Sequence, residues 1–151
     1  MPFTGTLRTS HIGLNVTDLD RSLDFYAGVL GFEPLREGKE EGRRFAFLGR
    51  SGQLVLTLWQ QAEGAYAPAR AGLHHLAFEA ASIEEVRAAE AALTARGTSF
   101  AYEGVVAHAE GAGSGGIFFH DPDGTRLEIS VPTGAEGAPA PTEAAPTCGF
   151  F

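Results

Sequence analysis

The sequence predicts an α+β fold made of two copies of one β-α-β-β-β unit, and three observations carry that prediction. A His opens a short run of period-two alternation twice, His11 in the first half and His75 in the second. Each run leads into a helix-like segment that a glycine closes, Gly31 in one half and Gly97 in the other. Each helix is followed by β-rich sequence with a Gly turn, at residues 50–52 and again at residues 121–124. A repeat of this length means two copies of one supersecondary unit, so equivalent positions are expected near one another across a pseudo-twofold axis. Two histidines 64 residues apart in the chain (75 minus 11) are therefore expected to meet.

The 151 residues divide into a single domain, residues 1–132, and a tail, residues 133–151. Within the domain, module one covers residues 7–60 and module two residues 72–132. The first strand is expected over residues 9–16. Residues 17–20 then offer N-cap side chains and an early negative charge for a helix dipole. Leu19, Leu23, Tyr26 and Leu30 share one helical face, widened by Phe25 and Val29. A short strand at residues 32–35 is expected to run into a charged turn at residues 36–42, followed by a hairpin of residues 44–48 and 53–59. Residues 60–71, rich in Ala with Gly and Pro, make the connector.

In the second copy a strand is expected at residues 73–79. Ser82 and Glu85 form a capping-box pattern for a helix whose buried stripe is Ile83, Val86, Ala89 and Leu93. Strands at residues 99–102, 116–120 and 125–131 complete the unit. The Gly/Ala-rich loop between Val105 and Gly116 contains His108. The tail is Ala-, Pro-, Gly- and Thr-rich without periodicity, the composition of a flexible segment, yet it ends in Cys148, Gly149, Phe150 and Phe151. Two terminal phenylalanines lower solubility unless they dock somewhere.

Composition excludes several classes of function. The net charge is −8 with one lysine, Lys39, which leaves little to neutralise a phosphate backbone, so no nucleic-acid partner is expected. No apolar run approaches the roughly 18 residues that span a bilayer, and residues 1–5 lack the pattern of a secretory leader. A single cysteine rules out an internal disulfide and a multi-cysteine zinc site. These features read as a cytoplasmic protein, away from membranes.

Period-two alternation at residues 125–130 sets Leu127 and Ile129 on one face and Arg126, Glu128 and Ser130 on the other. With His11 and His75, Glu128 gives two imidazoles and one carboxylate from three strands. That set suits a divalent ion with open coordination positions, for Fe(II) chemistry with oxygen or Lewis-acid chemistry with Mn or Zn. Taken singly, a strand His is more often structural and a strand Glu solvated; the repeat is what raises the metal reading.

The runs at residues 11–16, 22–26, 29–32, 75–78 and 121–128 together resemble the vicinal oxygen chelate superfamily, which includes glyoxalase I, extradiol dioxygenases, fosfomycin-resistance transferases and bleomycin-binding proteins. The resemblance covers about residues 7–132 and excludes the tail. It implies two modules whose mixed sheets curl into a cup around a metal, held by His11, His75 and Glu128, with Fe2+ or Mn2+ favoured over Zn2+ or Ni2+. His74, one residue out of register, is expected to face away. Glyoxalase I carries a fourth, carboxylate ligand on the last strand of module one; here Val55, Leu56 and Thr57 are the candidates for that position and none is a good ligand. The fosfomycin enzymes need a hydroxyl where Gly13 stands. The extradiol signature matches His108 and residues 121–128, with Phe118 at its tyrosine position. His108 is thus a candidate acid or base, against the plainer reading of an exposed loop His.

Arg44, Trp59, Tyr102 and Phe118 are candidate substrate-binding walls, suited to a planar or phenolic substrate. The resemblance also implies a homodimer. The favoured function is a metal-dependent, dioxygenase-like enzyme acting on a small substrate through two neighbouring oxygens. The alternatives are a glyoxalase-like lyase or isomerase at the same metal, a metal-free antibiotic-binding protein, and a partner-binding module acting through residues 148–151.

Overall fold

The computed structural model describes residues 1–142 and Phe150, in two units, Met1–Gly64 and Ala65–Phe151. Cys148 and Phe151 lie outside the described residues.

The first unit holds β1 (Ile12–Val16), α1 (Leu19–Tyr26), β2 (Glu33–Glu40), β3 (Arg43–Arg50) and β4 (Gln53–Gln60). The sheet order is β1-β4-β3-β2, with β1 parallel to β4 and the other pairs antiparallel. Asp18 caps α1 by accepting a hydrogen bond from the Arg21 amide at 3.1 Å. The helix buries Leu19, Phe25 and Tyr26, and the strands bury Leu14, Val16, Ala46, Leu48, Leu56 and Leu58. Each such leucine or phenylalanine contributes about 1.5–3 kcal/mol by leaving water. Leu23 and Leu30, expected on the buried face, are only half-buried, and Ser22 takes a fully buried place instead. The helix ends at Tyr26, and the chain reaches Gly31 through a turn.

Residues 36–40, expected as a turn, continue β2 instead. This strand lies at the sheet edge and is exposed along nearly its whole length, so its charges remain in water while its backbone pairs with β3. The reversal falls on Glu41 and Gly42, at φ 50° and 81°. Ser51 and Gly52 repeat it between β3 and β4 at φ 50° and 75°. Both central residues have positive φ, as the two-residue hairpin turn that matches strand twist requires.

The second unit holds β5 (Leu76–Glu79), α2 (Ile83–Ala95), β6 (Val106–Ala107), β7 (Gly115–His120) and β8 (Arg126–Val131). Its order, β5-β8-β7-β6 with β5 parallel to β8, reproduces the topology of the first sheet. The expected pair of β-α-β-β-β modules is thus present as two open four-stranded mixed sheets. Ser82 caps α2 by accepting from the Glu85 amide, and Glu85 accepts in turn from the Ala81 amide at 3.0 Å, one residue before the reciprocal partner of a standard capping box. Val86 and Leu93 are fully buried; Leu93→Ala would cost about 2–5 kcal/mol. Residues 99–102, expected as a strand, contribute only the bridge between Phe100 and Phe119, and the short β6 pairs with β7 at the sheet edge.

After β8 the chain turns back over the His108 loop. The Ala135 amide donates to Gly113 O at 2.9 Å, the Ala107 amide donates to Pro139 O at 3.0 Å, and Ala135 is buried. Small residues permit this close return, so part of the segment read as a tail is packed against the sheet.

Candidate active site

Across the antiparallel pair of β7 and β8, Phe118 stands opposite Glu128 and His120 opposite Arg126. Directly opposed residues share a face, so alternation sets Phe118, His120, Arg126 and Glu128 on one side of the second sheet. Ile117, Phe119, Leu127 and Ile129 fall on the other side and join its core. This is the face on which the sequence sets Glu128.

The turn before β8 fixes that register. Asp121 Oδ1 accepts from the amides of Asp123 and Thr125, each at 2.9 Å, and the Gly124 amide donates to Asp121 O. Asp123 O accepts in turn from the Tyr66 amide. The Tyr66 hydroxyl donates to the carbonyl oxygens of Leu73 and His74, tying down the backbone that leads to His75. Tyr66 is a positioning residue that sequence reasoning assigned to a plain connector; the one signal was an aromatic among alanines.

Glu128 is 5% exposed. Its Oε1 accepts from His108 Nε2 at 2.6 Å, and its Oε2 lies 3.5 Å from His75 Nε2. With His108 Nε2 carrying the proton, the neutral ring accepts at Nδ1 from the Ser114 hydroxyl at 3.0 Å. The result is a chain from Ser114 through His108 to Glu128. His108, weighed against an exposed loop His, is held half-buried because β6 and β7 fasten both ends of its loop.

His74 does not point away from His75. The strand begins only at Leu76, so alternation does not govern the two residues before it. Their rings stand 5.1 Å apart, with Nδ1 to Nδ1 at 2.9 Å, one nitrogen donating to the other.

The remaining candidates divide between the units. Tyr102 meets Phe118 edge-on at 6.0 Å, and His108 meets the same ring at 6.2 Å, so these three share the Glu128 face. Trp59 stacks on Phe45 at 5.4 Å in the first unit and donates from Nε1 to Thr57 Oγ1 at 2.9 Å. Arg44 pairs with Asp20 at 2.9 Å and with Glu37 at 3.9 Å, also in the first unit. That guanidinium holds the Asp20 carboxyl below its ordinary value, chiefly through the hydrogen bond. His11 sits in the first unit on the lead-in to β1, exposed, with Nδ1 3.1 Å from Ser10 Oγ.

Scanned against family models, residues 8–129 match the Glyoxalase/Bleomycin resistance protein/Dioxygenase superfamily. The chain belongs to this superfamily. Among curated proteins it is 28% identical over 123 residues to a trivalent organoarsenical cleaving enzyme of Bacillus sp. (strain MD1), covering 82% of this chain and 72% of that protein. It is 30% identical over 125 residues to a catechol-2,3-dioxygenase of Bacillus subtilis (strain 168), covering 80% of this chain but only 41% of that protein. Among solved structures, a glyoxylase/bleomycin resistance protein/dioxygenase domain from Frankia sp. EAN1pec superposes with a TM-score of 0.72 at 25% identity, covering 84% of this chain and 98% of that one.

Strand register settles which residue of the first module corresponds to Glu128. Gly13, two residues after His11, pairs with Thr57, and Ala77, two residues after His75, pairs with Glu128. Thr57 is therefore the repeat equivalent of the carboxylate, and its hydroxyl is engaged by Trp59. Among the described residues, no three His, Cys, Asp or Glu side chains stand in metal-holding geometry. The donor chemistry in the second unit nevertheless suits a divalent ion. A buried carboxylate is costly unless donors or a cation face it, and His75 and His108 meet that need here as a metal would.

Proposed function

We propose that the protein is a metal-dependent enzyme of the vicinal oxygen chelate type, dioxygenase-like, acting on a small substrate through two neighbouring oxygens. The observation that carries the reading is the buried Glu128 carboxylate with one oxygen toward His75 Nε2 and the other bonded to His108 Nε2. His75 and Glu128 would hold the ion, with His11, the repeat equivalent of His75, as the third ligand. A divalent ion there, Fe2+ or Mn2+ in preference to Zn2+ or Ni2+, would supply Lewis-acid polarisation of the substrate and, as Fe2+, redox chemistry with dioxygen.

The chain's own residues do the rest. His108 holds a proton at Nε2, within reach of the carboxylate and of a substrate hydroxyl beside it; Glu128, which can only accept, fixes that nitrogen as the one that carries it, and Ser114 donates to the other. Phe118 and Tyr102 offer aromatic surface and exclude water, while Phe118 supplies no phenolic proton of its own. Arg44 and Trp59 stand as further substrate contacts from the first module. The likeness to the catechol dioxygenase supports aromatic diols as first substrates to try.

A second reading is favoured by the likeness to the organoarsenical cleaving enzyme: bond cleavage of the lyase type at the same residues. A four-ligand glyoxalase I site is disfavoured, because Thr57 stands where a carboxylate would be needed. A homodimer is the assembly carried over from the family resemblance, and sedimentation would test it.

The deciding experiment is metal analysis of protein purified without chelator, followed by oxygen uptake with catechols after anaerobic Fe2+ loading. Bound metal and catechol-dependent uptake are expected. Turnover that persists without oxygen would move the assignment to the lyase reading, and protein that neither retains nor takes up metal would end the enzyme proposal.

A further inference from the structure

Between Val131 and the end of the chain, Phe150 and Phe151 are the only large apolar residues. Phe150 is 9% exposed and packs with Val106 and Phe118, with Ala101 and Tyr102 against the same cluster. Its ring lies on the face that carries Glu128. It meets Phe118 edge-on at 5.9 Å, His120 at 5.5 Å and His75 at 6.1 Å, and the Arg126 guanidinium sits 5.2 Å over it.

Four of these partners belong to the recess itself rather than to the end of the chain. Phe118, His120 and Arg126 are set there by alternation on β7 and β8, and His75 by the lead-in to β5. A recess with an aromatic ring edge-on, a cation over the ring plane and two imidazoles beside it is complementary to a phenyl group whatever that group is attached to. Because His75 also faces Glu128, a ring seated there stands next to the buried carboxylate.

We infer that Phe150 is a built-in competitor: its ring occupies a phenyl-binding recess beside His75, and an external ring-bearing ligand must displace it to enter. The inference goes beyond the proposed metal chemistry and stands without it, since every contact it uses is between side chains of the second unit. A resident ring lowers the apparent affinity of the recess for an outside ring by the fraction of time the recess is open. Being tethered, Phe150 acts at an effective concentration that a free competitor would match only at roughly millimolar levels. Substitution of this one residue should therefore expose a binding site.

The test uses the full-length, metal-free chain and benzyl alcohol as the probe, with binding followed by ligand-observed NMR. Phe150→Ala is expected to bind benzyl alcohol at least about tenfold more tightly than wild type. A synthetic peptide with the sequence of residues 147–151 should then displace the probe from the variant. Equal binding by wild type and Phe150→Ala, or no binding by either, would overturn the inference. Should the alanine variant fail to fold, Phe150→Leu fills similar space without a ring current. The imidazole resonances of His75 and His120 should shift in that variant relative to wild type, and unchanged resonances would show that the ring is not beside them. Neither readout needs turnover, so failure here and failure of the metal proposal are separable.

Discussion

His108 Nε2 lies 2.6 Å from one oxygen of Glu128 while His75 Nε2 lies 3.5 Å from the other, so a single buried carboxylate faces two imidazoles from different segments. The two contacts differ in kind. His108 makes a short charge-assisted hydrogen bond and is anchored at its far nitrogen by Ser114, the arrangement of a proton-handling group. His75 is farther off and better suited to share an ion with the carboxylate. His108→Ala should therefore keep the metal content of wild type while turnover falls by about 10²- to 10⁴-fold, with KM little changed. Metal analysis beside steady-state kinetics checks this; loss of metal in the variant would make His108 a ligand instead.

Glu128→Gln separates binding from stability. The amide keeps the shape and an oxygen to accept from His108, but removes a charge held at 5% exposure. Affinity for a divalent ion should fall by about 100-fold or more, read by competition with a chelating dye. The metal-free variant should stay within about 1 kcal/mol of wild type in urea unfolding, since the amide oxygen still accepts from His108 though without the charge that strengthens the bond. A variant that binds metal as wild type does would remove Glu128 from the ligand set.

Much of this was legible before any coordinates. The repeat of His, helix, glycine and Gly turn is a local pattern, and it fixed the topology because each copy must bury the same faces. Glu128 was legible because period-two alternation survives in a strand with one apolar neighbour on each side. The charged edge strand was not legible, because composition at residues 36–40 signals a turn and only pairing to β3 overrides it. The correspondence of Thr57 with Glu128 was likewise hidden. Three neighbouring residues fitted the sequence equally well, and only inter-strand register separates them. Tyr66 acts from an irregular connector on carbonyls seven and eight residues on, and Phe150 through partners far along the chain; neither stands in a segment with a periodicity to read.

The Asp20–Arg44 pair should show a defined pH dependence. Arg44 lowers the Asp20 carboxyl below its ordinary 3.8, first by a hydrogen bond and then by its charge. A depressed acid contributes stability above its unfolded value and loses that contribution as pH falls through the folded one. Wild type should therefore exceed Asp20→Asn slightly in urea midpoint at pH 7, with the gap closing as acid is added below the folded value. Asp20 is exposed and Arg44 only half-buried, so the gap should also shrink in 1 M salt, where screening acts over about 3 Å. A gap that survives both acid and salt would assign the stabilisation to something other than this ion pair.

The turn at Asp121 is the most sensitive place to test how the candidate site is held. Its carboxylate is 5% exposed and Oδ1 accepts from two backbone amides, those of Asp123 and Thr125. These bonds hold the reversal between β7 and β8, and the reversal sets Phe118 opposite Glu128. Asp121→Ala would leave both amides without that acceptor, at a cost of about 2–4 kcal/mol given the usual worth of hydrogen bonds to a charged group. Asp121→Asn keeps an oxygen in place and should lose clearly less. A one-residue slip in pairing would carry Glu128 to the core face, so the alanine variant should lose metal affinity as well as stability. Urea unfolding and amide exchange at Asp123 and Thr125 measure the two effects. An alanine variant within about 0.5 kcal/mol of wild type, with protected amides, would mean that strand pairing alone sets the register and the carboxylate is dispensable.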